Sequence, residues 1–312
     1  MKKFYINLAL LLAFLMILLC LLDYLSTLDH WRIVLARYTD SFEYIDGFPG
    51  TGEIKPYIDQ VRSQDSTTKL IIGDSVCHQM FSGLQECNKD VSIAATNGAI
   101  TMAGQYILVK EYLDNHTNVT DIFLMILPQS IERTYDTKWG YQYAVMPFVE
   151  TDTIGDLDDD TIEMIRSVYG SFFLRPAVVE AVDRSGINRK MYLNIIKKYS
   201  SGHVLDNKFE IADRYVTKID ELCKENGVAF HLLPCPVTEE KKDYVAGLAD
   251  EFALSKMRSI NSEFMNEIYY YPAERSSDGS HFAGEYANQV CYNEIIRLMY
   301  EKEGLLDSLV LQ

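Results

Sequence analysis

The chain has 312 residues, of which 48% are hydrophobic, 24% charged and 12% aromatic. This composition is typical of a globular protein and excludes a disordered or collagen-like chain. The formal net charge is −16 at pH 7, which argues against nucleic-acid binding because that function needs a basic surface. The length favours one large α/β domain, and no internal repeat or long low-complexity segment divides it.

An almost unbroken apolar run occupies residues 4–22, directly after Lys2 and Lys3. As a helix rising about 1.5 Å per residue, the run would span roughly 28 Å, close to the hydrocarbon core of a bilayer. Lysines before the run and Asp23 after it predict a cytoplasmic N-terminus and an extracytoplasmic remainder. We therefore predict a cytoplasmic tip and transmembrane signal anchor over residues 1–25, then a polar connector over residues 26–65.

A cleaved signal peptide is the alternative to an anchor. Its apolar region is usually shorter and ends at small residues, whereas Asp23 and Tyr24 follow the run here. Of the six cysteines, Cys20 lies in the run and an odd number remains outside it. No C-x-x-C pair occurs, so most cysteines are interpreted as small buried hydrophobic residues, with one disulfide left open.

Four short apolar runs predict strands over residues 69–72, 91–95, 122–127 and 228–233. Continuous rather than alternating apolar runs indicate a parallel sheet covered on both faces. Helical spacing appears between them at residues 101–113 and 211–226, and a final helix is predicted over 284–303. This alternation predicts a three-layer α/β/α (flavodoxin-like) domain with a central parallel sheet over residues 66–312.

Residues 134–208 contain no clear strand and are interpreted as a helical insertion between the third and fourth strands. Its aromatic residues either pack the insertion against the domain or stack on sugar rings; they are Tyr135, Trp139, Tyr141 and Tyr143. Three aspartates alternate like calcium-loop ligands, but the glycine and terminal glutamate of such a loop are missing. An acidic helix start is the favoured interpretation; the aspartates are Asp156, Asp158 and Asp160.

The first motif with chemical content is Gly73-Asp74-Ser75, directly after the first predicted strand. A serine on such a turn presents its hydroxyl at the carboxyl edge of a parallel sheet, where open α/β sheets bind ligands. The free N–H groups at the start of the following helix would stabilise an oxyanion there. Ser75 is therefore a candidate nucleophile.

The second motif is Asp278-Gly279-Ser280-His281, before the predicted final helix. A nucleophilic serine needs a base, and the base needs a third group that fixes its tautomer. Asp278 and His281 supply both roles if the fold returns the chain to the same edge of the sheet.

Other reactive side chains near these motifs have alternative interpretations. His78 follows Ser75 by three positions and either caps or covers the helix surface, or contacts substrate. Cys77 would need a lowered pKa to act as a nucleophile, and the serine explains the motif without it. His231, in the middle of the fourth strand, is interpreted as a core histidine with satisfied hydrogen bonds.

The two motifs together resemble the SGNH (GDSL-type) hydrolase superfamily. The resemblance implies that Ser75 is the nucleophile and that Asp278 and His281 complete a catalytic triad. It also implies an oxyanion hole made of the serine N–H, a glycine N–H and a side-chain amide. Asp74, Asn97 and His78 would then be neighbours of the site.

The other family blocks match in part. Asn97-Gly98, after the second strand, matches the second block and makes Gly98 the implied donor, whereas Gly104 falls inside the following helix. The family's Gly-x-Asn-Asp block is replaced by residues 127–130, so Gln129 would present its amide in place of the asparagine.

The apolar N-terminus and the Pro-Gln pair after the third strand make the resemblance narrower. They are similar to membrane-anchored SGNH-like proteins that accompany membrane-bound O-acyltransferases. That resemblance implies serine-dependent transfer of acetyl or other acyl groups on cell-surface glycans, or their hydrolysis, outside the cytoplasm and without metal or organic cofactor. One alternative is a non-catalytic assembly or glycan-binding protein on the same scaffold, and another is a free secreted lipase.

Overall fold

The structure of this protein is a computed structural model, which describes residues 2–26, 54–81, 90–99, 101–135, 151, 153–169 and 208–283. The predicted final helix over 284–303 lies outside these residues. So does most of the predicted helical insertion, including three of its aromatic residues: Trp139, Tyr141 and Tyr143.

The centre of the domain is a four-stranded parallel sheet in the order β2-β1-β3-β4. Its strands are β1 (Lys69–Gly73), β2 (Val91–Ile93), β3 (Asp121–Ile126) and β4 (Ala229–Pro234). The predicted α/β class with a central parallel sheet is confirmed, and each strand lies within two residues of its predicted position. The direction of strand succession reverses beside β1, which places a crevice for ligands at its carboxyl end.

Two helices between the strands follow the predicted pattern, α4 (Met102–Asn115) and α6 (Glu210–Asn226). The other described helices are α1 (Lys2–Ser26), α2 (Lys55–Arg62), α3 (Ser75–Phe81), α5 (Asp159–Tyr169) and α7 (Lys242–Phe252). Helix α6 ends at Gly227, whose φ of 70° gives the left-handed cap that glycine favours.

Two apolar clusters cover the two faces of the sheet, because successive side chains of a strand point to opposite faces. Leu70 and Leu124 belong to the cluster that includes residues of α2, α4 and α6. Ile71 and Phe123 belong to the other cluster, which includes the buried residues of α3. Burial on both faces explains why the strands read as continuous apolar runs.

Some short elements were not predicted. Helix α2 lies in the segment interpreted as a connector; it buries Ile58 and Val61, and Arg62 pairs with Glu111 of α4 at 2.7 Å. Helix α7 and a second, two-stranded parallel sheet were also missed. The strands of that sheet are β5 (Val237–Thr238) and β6 (Tyr270–Tyr271).

Among the residues whose side chains the structure describes, no helix is both long enough and apolar enough to cross a membrane. The signal anchor over residues 1–25 therefore stays a prediction.

The acidic segment of the insertion begins a helix. Asp158 immediately precedes α5 and accepts a hydrogen bond from the Thr161 N–H at 2.8 Å, while Arg214 of α6 lies 3.0 Å from the same oxygen. Within the described residues no group of three or more His, Cys, Asp or Glu side chains could hold a metal ion. His231 contacts Asp121 at 3.0 Å and stacks on Phe123, so its ring has partners where β3 and β4 begin.

Candidate active site

Ser75 is the first residue of α3 and follows β1 after a tight turn at Gly73. A Cβ atom at Gly73 would lie 1.9 Å from the carbonyl oxygen of Met125 and 2.7 Å from Cβ of Cys77. Only glycine, which has no Cβ atom, lets β1 lie this close to β3 and lets α3 begin two residues later. The half-buried Ser75 is thereby held at the carboxyl end of the sheet.

Asp74 joins this turn to the loop that follows β3 by hydrogen bonds. Its Oδ1 accepts from the N–H of Val76 at 3.1 Å, and its Oδ2 accepts from the Leu127 N–H at 2.7 Å and the Ser130 hydroxyl at 2.8 Å. Burial raises the pKa of Asp74, and the hydrogen bonds from Leu127 and Ser130 act against that increase. Asp74 is therefore a structural neighbour of Ser75, the candidate nucleophile.

The structure brings Ser75, His281 and Asp278 together, although they are far apart in the chain. His281 Nε2 lies 2.7 Å from Ser75 Oγ, and His281 Nδ1 lies 2.7 Å from Asp278 Oδ2. The histidine links the other two side chains in one continuous hydrogen-bonded chain. This is the geometry that a serine nucleophile, its base and the orienting carboxylate require.

The second carboxylate oxygen of Asp278 binds backbone N–H groups of its own loop. Oδ1 accepts from the N–H groups of Ser280 at 3.0 Å and His281 at 2.8 Å. Partial burial raises the pKa of Asp278, but these bonds and the imidazole outweigh it, so the pKa is lowered. An ionised Asp278 only accepts hydrogen bonds, so His281 Nδ1 carries the proton and Nε2 accepts the Ser75 hydroxyl.

Further contacts fix the backbone around the histidine. Gly279 has a φ of 78°, in the left-handed region that favours glycine, and its N–H donates to Ser276 Oγ at 2.8 Å. The hydroxyl of Ser276 donates to the His281 carbonyl at 2.9 Å. The Phe282 N–H donates to Gln79 Oε1 at 3.1 Å, which ties this loop to α3.

Gln79 and Tyr271 are two supporting residues that the sequence analysis missed. Gln79 follows Ser75 by four positions, and this spacing on one helix face would have pointed to it. The Tyr271 hydroxyl donates to the Ser280 carbonyl at 3.3 Å, and its ring lies 4.8 Å from that of Phe282. No local pattern marks Tyr271, because its role arises only when β6 passes beside the loop.

The predicted oxyanion donors have different surroundings. No described residue accepts a hydrogen bond from the Ser75 N–H. The Gly98 N–H already donates to Thr96 Oγ1 at 3.0 Å, and Asn97 is exposed. Gln129 Oε1 is buried and has no partner among the described residues. Among the described residues, therefore, nothing occupies the Ser75 N–H, whereas the Gly98 N–H is engaged with Thr96.

His78 and Cys77 take structural positions. His78 Nδ1 lies 3.0 Å from the carbonyl oxygen of Ala95, which holds α3 against the end of β2. This contact fits the helix-surface interpretation. Cys77 is buried, and burial raises the pKa of its thiol and that of the neighbouring Cys235. Both thiols therefore stay neutral, and Cys77 is a poor nucleophile.

Comparisons of the chain with protein-family models, with curated proteins and with solved structures found no match. What the arrangement can do chemically follows from its geometry. A serine hydroxyl contacts an imidazole nitrogen that can take its proton, and a carboxylate faces the other nitrogen to stabilise the imidazolium. His281 and Ser75 are only partly buried, so a substrate can reach them.

Proposed function

We propose that this chain is a serine-dependent enzyme that removes acyl groups from esters and passes them to water or to a sugar hydroxyl. The observation that carries the proposal is the chain of two contacts, each 2.7 Å long, from Ser75 Oγ through His281 to Asp278. In such an arrangement the serine is activated by a base that is held in the correct tautomer.

The first half of the reaction forms an acyl-serine. His281 Nε2 takes the hydroxyl proton of Ser75 while Oγ attacks the ester carbonyl carbon, and the carbonyl oxygen becomes an oxyanion. When the tetrahedral intermediate collapses, the C–O bond to the leaving alcohol breaks and His281 returns the proton to that alcohol. Asp278, ionised and bonded to Nδ1, stabilises the imidazolium between the two transfers.

The second half restores the serine. His281 takes a proton from water or from an acceptor hydroxyl, whose oxygen attacks the acyl carbon. The bond to Ser75 Oγ then breaks, and Oγ receives the proton from His281. Water gives an ester hydrolase and a bound sugar gives an acyltransferase. In both halves Ser75 is the nucleophile or leaving group and His281 carries the proton.

The Ser75 N–H is the oxyanion donor that the surroundings support best. Gly98 and Gln129 remain predicted donors, and Gly98 would have to exchange Thr96 Oγ1 for the oxyanion. One missing donor in such a hole lowers kcat by about 10²–10³-fold in well-studied hydrolases, so this exchange matters for the rate.

The proposal includes the setting that the sequence predicts. The strand order β2-β1-β3-β4 and the two apolar clusters fit a three-layer, flavodoxin-like α/β/α domain with an SGNH-like site. The apolar N-terminus would anchor the domain outside the cytoplasm. Its substrate would be an O-acylated cell-surface glycan, and its partner a membrane-bound O-acyltransferase.

A second candidate function is a non-catalytic assembly or glycan-binding role on the same scaffold. It is favoured by the Gly98 N–H, which donates to Thr96 Oγ1 instead of being free for an oxyanion. The same fold often hosts unrelated functions.

Labelling with a fluorophosphonate serine probe separates the two candidates. The full chain in detergent is treated with the probe and its peptides are mapped. We expect modification at Ser75 that is lost in His281→Ala and kept in His231→Ala, a matched histidine at the opposite end of the sheet. Absence of labelling in a sample with native circular dichroism would exclude the activated serine and leave the scaffold role.

A further inference from the structure

A polar cavity of about 210 Å³ lies beside the loop that follows β3. Its wall is formed by a short segment after β3 and by the first turn of α7. The lining residues are Gln129, Glu132, Arg133, Thr134 and Tyr244. All five carry a polar group, so the cavity is suited to a hydrophilic ligand rather than to an acyl chain.

The segment after β3 that lines the cavity is also bonded to the turn that carries Ser75. Ser130, next to Gln129, donates to Asp74 Oδ2 at 2.8 Å, and the Leu127 N–H donates to the same oxygen at 2.7 Å. Asp74 directly precedes Ser75. A ligand in the cavity would therefore lie at the same edge of the sheet as the nucleophile.

Two atoms of the lining need hydrogen-bond partners. Gln129 Oε1 and Thr134 Oγ1 are buried, and neither has a partner within the described part of the chain. Buried polar atoms are nearly always paired, either with protein or with bound molecules. Gln129 Oε1 accepts and the threonine hydroxyl both donates and accepts, which matches the hydroxyl groups of a sugar.

The remaining wall is held in place by its own contacts. Glu132 Oε1 pairs with Lys208 at 2.7 Å, and Glu132 Oε2 accepts from the Tyr244 hydroxyl. Both oxygens of the Glu132 carboxylate therefore have partners. Tyr244 is fixed by its hydroxyl, although 46% of its surface stays exposed to solvent. A fixed aromatic face beside polar groups suits a sugar ring, which has both an apolar face and hydroxyls.

We propose that this cavity is an acceptor subsite that binds one sugar unit through its hydroxyl groups. Its volume is below the roughly 300–1,000 Å³ of a site that encloses a whole ligand, so a single unit of a longer glycan fits. The role of the subsite in transfer rests on the proposed function, because it matters only if Ser75 carries an acyl group.

The test measures glycoside binding to the full chain in detergent by saturation-transfer nuclear magnetic resonance. The probes are the methyl glycosides of glucose, galactose and N-acetylglucosamine at millimolar concentration. We expect at least one to bind the wild type and to bind Thr134→Val about fivefold more weakly, the effect of one lost hydrogen bond. Thr134→Ser, which keeps the hydroxyl, should restore binding.

The matched control is Thr238→Val. Thr238 in β5 also has a buried hydroxyl without a partner among the described residues, but it does not line the cavity. Its variant should bind the glycoside like the wild type. Tyr244→Ala is expected to weaken binding as well, and thermal unfolding of each variant verifies that it is folded.

Separate outcomes bear on the two proposals. Absence of binding for every glycoside, or equal binding by wild type, Thr134→Val and Tyr244→Ala, would overturn the subsite. Fluorophosphonate labelling of Ser75 in the same samples reports on the nucleophile alone. Labelling without glycoside binding rejects only the subsite, whereas glycoside binding without labelling rejects only the acyl-serine mechanism.

Discussion

At the scale of single residues, the two carboxylate oxygens of Asp278 make different contacts. Oδ1 accepts two backbone N–H groups and shapes the loop, while Oδ2 faces His281 Nδ1. The two backbone contacts therefore shape the loop, whereas in the proposed reaction the charge would select the tautomer of His281 and stabilise its imidazolium.

This division gives a prediction for Asp278→Asn. The amide oxygen can still accept the backbone N–H groups, but the NH₂ group facing His281 would stabilise the wrong tautomer. We expect kcat for hydrolysis of 4-nitrophenyl acetate to fall by about 10²–10⁴-fold with the fold intact. Asp250→Asn, an exposed carboxylate on α7, should leave kcat unchanged. A loss of less than about threefold in Asp278→Asn would contradict the role of the carboxylate.

The buried thiols of Cys77 and Cys235, near the candidate nucleophile Ser75, give a second prediction. Burial raises the pKa of both Cys77 and Cys235, so the reactive thiolate is scarce and shielded. In the native protein both should react with iodoacetamide far more slowly than after unfolding in guanidinium, as followed by peptide mass spectrometry. Rapid alkylation of Cys77 in the native protein would show that its thiol is accessible, and Cys77 would again be a candidate nucleophile.

At the scale of elements, the turn between β1 and α3 depends on the absence of a side chain at Gly73. Gly73 is paired with Met125 in the neighbouring strand, and its carbonyl accepts from the Thr96 N–H at 2.9 Å and from Gln105 Nε2 at 3.2 Å. Three neighbouring segments thus converge on one residue that has no room for a Cβ atom.

Gly73→Ala should therefore be strongly destabilising. The added methyl would overlap the Met125 carbonyl, so β1 or α3 must shift, at a cost of about 3 kcal/mol in the free energy of unfolding. Urea denaturation measures the change. The control is Gly247→Ala in α7, where a Cβ meets nothing within 4 Å; it should raise stability by up to about 1 kcal/mol. A tolerated Gly73→Ala would refute the tight turn.

At the scale of the whole molecule, Asp158, directly before α5, joins this segment to α6 by ion pairs. It pairs with Arg214 at 3.0 Å and with Lys218 at 3.5 Å. Partial burial raises the pKa of Asp158, but hydrogen bonds from Thr161 and the charge of Arg214 outweigh it, so the pKa is lowered below its usual 3.8.

Stability should follow this carboxylate as the pH falls. A lowered pKa in the folded state means that the stabilisation is complete above 3.8 and is lost as the pH falls through the lower folded-state pKa. Asp158→Asn keeps a helix-capping side chain and loses only the ion pairs. We expect it to be about 0.5–1 kcal/mol less stable at neutral pH, and the difference should shrink below pH 3.8. A difference that is constant with pH in urea titrations would contradict the ion-pair explanation.

Much of the architecture was predictable because its causes are local. Buried parallel strands need continuous apolar runs, and helices such as α4 and α6 show their own periodicity. Helices α2 and α7 and the strands β5 and β6 were missed, because they are short and their form depends on the surfaces they pack against. The same limit applies to Tyr271, which contacts the histidine loop only after β6 has been placed beside it, whereas Gln79 follows Ser75 by four positions on the same helix and so has a local signal.

The sequence by itself determined the parallel α/β class, the turn at Gly73-Asp74-Ser75 and the candidate residues Asp278 and His281. The tertiary structure alone decided that His281 reaches Ser75, that Asp74 binds the loop after β3, and that the Gly98 N–H donates to Thr96. The physical reason is that periodicity and turn chemistry act over a few residues. Hydrogen bonds between distant segments, by contrast, form only after packing has placed the segments side by side.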